Sequence, residues 1–295
     1  MSPTAGGGGA GAESLDALLP PQIADKAAAL GVVKAGMGLF RTFALGVLAG
    51  AFIALGALFA TTAVAGSEGV LAFGVTRVLA GVVFSLGLIL VVIAGAELFT
   101  GNNLIVMAWA ERRIPLAQML RNWVIVYAGN LVGALGTVAL VFAGKQYELG
   151  SGAVGVAALQ IAEAKAALGF GEALALGVMC NALVCLAVWL TYSARSVTDK
   201  ILAVIFPITA FVAAGFEHSI ANMYFLPVGV LIRERGSDEF WAESGSSPSE
   251  FADVTVLDTI GNLIPVTIGN ILGGSVLVGL VYWAIFLRPD HEGVG

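Results

Sequence analysis

A single histidine stands inside an apolar run. His218 follows Glu217 within Ile201 to Ile232, and the only other histidine, His291, lies near the C-terminus. An imidazole titrates near neutral pH, so at membrane depth it can pass a proton, which a Ser or Asn at the same place could not do. Glu97 and Glu217 suit another task, hydrogen bonding to backbone loosened by a helix break. Asn130, Asn181 and Asn270 lie in charge-free stretches. A buried amide needs partners, and it can offer its NH₂ to an anion. Lys165, expected in an outer loop, reads first as a solvated charge; as a functional residue it would concentrate anions at an entrance. Cys180 and Cys185, five residues apart and on different helix faces, suit apolar packing rather than a disulfide or metal site. No metal or cofactor is expected.

These residues must be positioned by elements that cross a bilayer. Of the 295 residues 58% are hydrophobic and only 12% charged, against roughly a quarter charged in soluble domains. That excludes a soluble globule and leaves no mass for a separate catalytic domain, so enzymatic function is not expected. Five blocks carry no charge at all: Thr42 to Ser67, Val78 to Ala96, Asn122 to Gly144, Ala173 to Ala194 and Thr259 to Leu287. Each is long enough to span, and Ile201 to Ile232 supplies a sixth crossing, interrupted at Glu217 and His218. With the N-terminus inside, nine of the fourteen Lys and Arg residues fall on the cytoplasmic side, which favours both termini there. The net charge of -6 comes mainly from the tails and the loop Glu234 to Asp253. No secretory signal is expected in residues 1–25, and the glycine-rich stretch Ala5 to Ala12 reads as disordered.

The two halves repeat one another. Ala44-Leu45-Gly46-Val47 recurs as Ala175-Leu176-Gly177-Val178, and Ala94-Gly95-Ala96-Glu97 with Asn102 recurs as Ala214-Gly215-Phe216-Glu217 with Asn222. Gly129-Asn130-Leu131-Val132-Gly133 recurs as Gly269-Asn270-Ile271-Leu272-Gly273. Three crossings per half is an odd number, so the second half enters from the opposite side: an inverted repeat, whose site forms where interrupted helices meet. The interruptions are expected at Thr100-Gly101-Asn102-Asn103 in crossing two and at Gly215 with Glu217-His218-Ser219 in crossing five. Non-helical backbone at that depth is tolerated against protein or a water-filled path. The organisation read from this is a tail over residues 1–35 with an amphipathic start, a channel domain over 36–288 and a tail over 289–295. Its repeats run from about 36 to 145 and from about 165 to 288.

Leu98-Phe99-Thr100 after Glu97, Gly129-Asn130-Leu131-Val132-Gly133-Ala134, Phe216-Glu217-His218-Ser219-Ile220-Ala221-Asn222-Met223 and Asn262-Leu263-Ile264-Pro265-Val266-Thr267-Ile268-Gly269-Asn270 together resemble the formate/nitrite transporter family. The likeness is greatest to its formate channels and covers roughly residues 15 to 288. It implies an all-α, aquaporin-like protomer with its own pore, assembled as a homopentamer in the bacterial inner membrane. Carried over by motif, His218 is similar to the central pore histidine and Thr100 to its partner. Asn181 and Asn270 resemble the amides beside that pair, Lys165 the vestibule lysine, and Glu217 belongs to the same motif. Phe84, Leu88, Leu98, Phe99, Phe211 and Val184 are similar to the apolar residues that narrow two slits. The implied substrates are small monovalent anions with protons: formate first, then nitrite, hydrosulfide or lactate-type anions. Lipid is the implied surrounding, and no nucleic acid is expected.

Two other classes share parts of this pattern. A water or glycerol channel should carry Asn-Pro-Ala at each half-helix, and neither Asn102-Asn103-Leu104 nor Asn222-Met223-Tyr224 matches. An intramembrane protease needs a nucleophile set for a His; no Gly-x-Ser-Gly lies in a crossing, and Ser219 adjoins His218 in sequence. Energetics favour protonation of an anion in a dry pore. A bare carboxylate costs on the order of 20 kcal/mol to desolvate by the Born estimate. Neutralising it at pH 7 costs about 4 kcal/mol for a pKa near 3.9.

Overall fold

The computed structural model describes residues 17–288, and among these every regular element is helical. The glycine-rich stretch and the tail after Arg288 lie outside the described residues. In chain order the elements are α1 (Pro20–Gly36), α2 (Leu39–Val64), α3 (Phe73–Ala94), α4 (Phe99–Asn102), α5 (Val106–Ala110), α6 (Leu116–Ala143), α7 (Ala153–Ala166), α8 (Phe170–Ser193), α9 (Val197–Ala213), α10 (Ser219–Arg235), α11 (Asp238–Ser244), α12 (Val256–Ile271) and α13 (Val281–Phe286). A 3-10 turn over Asn103–Ile105 joins α4 to α5, and nine residues of π-helix, Leu272–Leu280, join α12 to α13.

Among the described residues, five helical stretches are long and apolar enough to cross a membrane: α2, α3, α6, α8 and the stretch Pro248–Phe286. Their outward faces carry large apolar side chains, such as Phe40, Phe59, Val124, Leu140 and Leu257, which suits contact with lipid. Close approach between them depends on glycine. A Cβ on Gly133 would stand 1.9 Å from the carbonyl oxygen of Val47, and one on Gly273 would stand 2.1 Å from that of Val178. α6 therefore lies backbone to backbone on α2, and the π segment does the same on α8.

α9 and α10 are each 17 residues long, about 26 Å at 1.5 Å per residue. α10 is buried on nearly all sides, which lets it hold Pro227 and polar residues that a lipid-facing helix could not. α1 lies on the molecule rather than trailing from it. Its small face, Ala24, Ala27, Ala28 and Gly31, is buried, and Gly31 abuts Ala108 of α5. The wide turns of the π segment accept the other broken region, since Gly274 faces Asn181 and Asn103, and Gly279 faces Val106.

Candidate functional site

The first interruption lies upstream of the place the turn-forming residues suggest. Thr100 to Asn102 are helical, and the break runs from Gly95 to Leu98. Polar residues at 100–103 do not unwind the chain because partners on other helices take up their side chains. The unwinding follows Gly95, whose φ of +79° ends α3 in a left-handed cap; Gly215 does the same for α9 at +78°.

Both breaks are stapled by the same bonds. The Glu97 N–H donates to Leu45 O at 3.2 Å and the Glu217 N–H to Leu176 O at 3.3 Å. Asn130 Oδ1 accepts the Phe99 N–H at 2.9 Å, and its Nδ2 donates to Gly46 O and Glu97 O. Asn270 Oδ1 accepts the Ser219 N–H at 2.9 Å, and its Nδ2 donates to Gly177 O and Glu217 O. Both N–H groups of each amide are thus committed to backbone. Holding the break, rather than an offered NH₂, is what these two side chains do here.

The carboxylates are paired in matching fashion. Lys34 Nζ lies 2.8 Å from Glu97 Oε1, and Lys165 Nζ lies 2.7 Å from Glu217 Oε1. Asn102 Nδ2 donates to Glu97 Oε2 and Asn122 Oδ1; Asn222 Nδ2 donates to Glu217 Oε2 and Asn262 Oδ1. Asn122 and Asn262 complete the circle by donating to Lys34 O and Lys165 O. These glutamate side chains therefore neutralise lysines instead of bonding to loosened backbone, and a buried charge so paired avoids most of its desolvation cost. Sequence reading passed over Lys34, Asn122 and Asn262, although a signal was present. Lys34 and Lys165 each stand ten residues before the repeated Ala-Leu-Gly-Val, and Asn122 and Asn262 each stand eight before the repeated Asn.

At the centre the two halves touch and cease to match. Thr100 Oγ1 lies 2.9 Å from His218 Nε2. His218 is the N-cap of α10, with Nδ1 accepting the Ala221 N–H at 3.0 Å. A nitrogen that accepts from an N–H carries no proton, so the bonding pattern assigns a neutral ring whose proton is on Nε2 and faces Thr100. Asn181 Nδ2 lies within donating distance of Thr100 O at 3.2 Å, Asn103 Oδ1 and Asn270 O, its two N–H groups shared among them, and so ties the first broken region to α8 and α12. The Phe211 ring stacks on the imidazole, with centroids 5.9 Å apart.

Two cavities adjoin this region: His218 lines the larger, and Leu98 and Gly101, which flank Thr100 in sequence, line the smaller. The larger, about 990 Å³, is walled by Phe84, Phe211, Phe225, Lys165, Glu217 and His218 among others. Phe84 meets Phe211 edge-on at 5.6 Å. The smaller, about 260 Å³, is walled by Leu88, Leu98, Val188, Lys34 and Glu97 among others. Of the residues expected at slits, Phe84 and Phe211 fall on the first wall and Leu88 and Leu98 on the second. Phe99 and Val184 are on neither wall. Phe99 is buried against Trp123 and Tyr127, and Val184 is 1% exposed.

Known proteins resemble this chain. The formate/nitrite transporter family profile matches residues 21–284. Formate channel FocA of Escherichia coli (strain K12) is 49% identical over 94% of this chain and 98% of its own. Formate channel FocA of Haemophilus influenzae is 43% identical over 90% and 93%. A solved pentameric formate channel with formate bound superposes with a TM-score of 0.81 at 45% identity, covering 85% of this chain and 98% of that one. On a match that spans nearly all of its length, the chain belongs to the formate/nitrite transporter family.

Proposed function

We propose that this protein is a membrane channel for small monovalent anions, with formate as its substrate, and that the anion meets a proton at His218. The observation that carries this reading is the Thr100–His218 contact, with His218 on the wall of a cavity that also holds Phe84, Phe211 and Lys165. Relatives named formate channels, at up to 49% identity, support formate over nitrite, hydrosulfide or lactate-type anions. Counting α3 with α4–α5, and α9 with α10, as one broken crossing each gives six crossings in two inverted halves. The duplicated staples and ion pairs support that arrangement. The resemblance to a pentameric channel supports a homopentamer, and the distribution of basic residues supports an inner-membrane protein with both termini in the cytoplasm.

In this reading the slits are Phe84 with Phe211 and Leu88 with Leu98, dry enough to exclude bare ions. A neutral imidazole is no acid toward a carboxylate. His218 must first take a second proton on Nδ1, releasing the Ala221 N–H, and the approaching anion stabilises the charged ring. The Nε2 proton then passes to the anion, which leaves as the neutral acid; the ring is left neutral with its proton on Nδ1, and loss of that proton with reprotonation of Nε2 by water restores the starting tautomer. Thr100 orients the ring or the substrate oxygen during this exchange.

Formate uptake by proteoliposomes, followed from about pH 5 to 8 with a pH-sensitive dye inside and competed by nitrite, tests the function. Uptake with accompanying internal proton movement is the expected result. Flux no greater than that of protein-free vesicles would reject it. Topology is tested by cysteine labelling: Ser67→Cys and Ser246→Cys should react from the periplasm and Ser196→Cys from the cytoplasm alone.

A further inference from the structure

We propose that Arg77 is the uncompensated cation of the larger cavity, drawing the anion inward while clamping the helix end that carries Phe211. This rests on the anion-channel reading above. Lys165 is neutralised by Glu217 at 2.7 Å, so the pair offers an entering anion no net charge. Arg77 also lines the cavity, and among the described residues it makes no ion pair within 4.0 Å; Glu217 attracts it at longer range but is already bonded to Lys165, so these two cations and one carboxylate leave one positive charge over. Its guanidinium reaches from α3 to the last turn of α9, where Nε donates to Ala213 O at 3.2 Å and Nη2 donates to Val212 O. Carbonyls at a helix C-terminus carry partial negative charge and welcome a cation there, but they leave its unit charge uncancelled. The other carboxylate on the cavity wall, Glu68, is solvent-exposed and screened by water.

The opposite cavity lacks this device. Arg77 stands twenty residues before Glu97, and the matching position twenty before Glu217 is Val197. The smaller cavity therefore has only its neutral Lys34–Glu97 pair. Arg77 also positions its neighbours. Ala213 O has no successor in α9 to bond, and the guanidinium is the donor that satisfies it. Two residues earlier, Phe211 forms the wall against Phe84 and stacks on His218.

The test compares full-length protein with Arg77→Gln, which removes the charge but keeps an N–H donor, Arg77→Met, which removes both, and Arg77→Lys, which keeps the charge. Formate flux in proteoliposomes is measured against concentration at low and high ionic strength, with exposed Lys145→Gln as the control. At about 10 mM salt, where screening reaches roughly 30 Å, Arg77→Gln should raise the half-saturating formate concentration roughly tenfold with maximal flux kept. The difference should vanish at high salt. Arg77→Lys should stay near wild type, and Arg77→Met should in addition leak chloride because Phe211 is no longer held. Equal half-saturation and equal salt dependence in Arg77→Gln and wild type would overturn the electrostatic role. Chloride exclusion by Arg77→Met equal to that of wild type would overturn the clamp. Should wild type itself carry no formate above protein-free vesicles, the anion reading falls first and the proposal with it.

Discussion

The two broken helices have the same scaffold and different centres. At each break a left-handed glycine ends the helix, an asparagine staples the loop, and a glutamate two residues on pairs with a lysine from a neighbouring short helix. The residue that then starts the second half-helix is Leu98 in one case and His218 in the other. Leu98 offers no side-chain cap and faces the smaller cavity, whereas His218 caps its helix and bonds to Thr100. The frame is thus the same at both breaks, and in the proposed reading the position that differs between them carries the chemistry. Four measurements press on this division.

The largest effect is expected where the frame is tightest. Gly133→Ala and Gly273→Ala each drive a methyl into a backbone carbonyl about which neither helix can yield. Overpacking even side chains costs roughly 1–3 kcal/mol, so both variants should be lost as folded protein in detergent gel filtration. Gly136→Ala, with nothing within 4 Å of its Cβ, should behave as wild type. Survival of one of the first two with loss of the other would show that the halves are not equivalent supports.

Next comes the divergent position itself. His218→Phe should keep assembly and abolish proton-coupled formate uptake, leaving at most an ungated anion leak. Leu98→Phe should change the rate of flux but not its dependence on pH. Unaltered flux and proton movement in His218→Phe would make the histidine a helix cap alone.

The ion pairs come third. Removing one partner of a buried pair costs roughly 3–5 kcal/mol because a bare charge is left behind. Lys165 is the better buried of the two lysines, at 15% side-chain exposure against 26% for Lys34. Lys165→Met should therefore lower the thermal midpoint more than Lys34→Met, and Lys165→Met/Glu217→Gln should recover part of the loss. An equal or reversed order would mean that burial does not set the cost.

The smallest effect belongs to Thr100→Ala, which removes one hydrogen bond worth about 1 kcal/mol. A severalfold fall in formate flux with the pH profile retained is expected, and Thr100→Ser should restore it. Loss as complete as in His218→Phe would promote Thr100 from an orienting group to part of the proton path.

Much of this was legible in the residues. Absence of charge over five long blocks forces membrane-length helices, because nothing else satisfies backbone polar groups in lipid. The repeated Ala-Gly-x-Glu and Gly-Asn-x-x-Gly strings marked the broken regions, and a lone titratable ring in apolar sequence marked His218. Where the chain unwinds was not legible, because Thr100 to Asn103 look like a turn until other helices take up their polar groups. Nor were the partners of Glu97 and Glu217. A lysine ten residues before a repeated string reads as a loop charge until folding brings α1 and α7 against the breaks. The sequence by itself determined the solvent, the helical class and the few residues able to handle a proton, since these follow from local chemistry and spacing. Only the tertiary structure decided which of them meet. It set Thr100 against His218, spent Asn270 on backbone, and left Arg77 without an ion-pair partner, because contacts between segments distant in the chain are settled by helix approach.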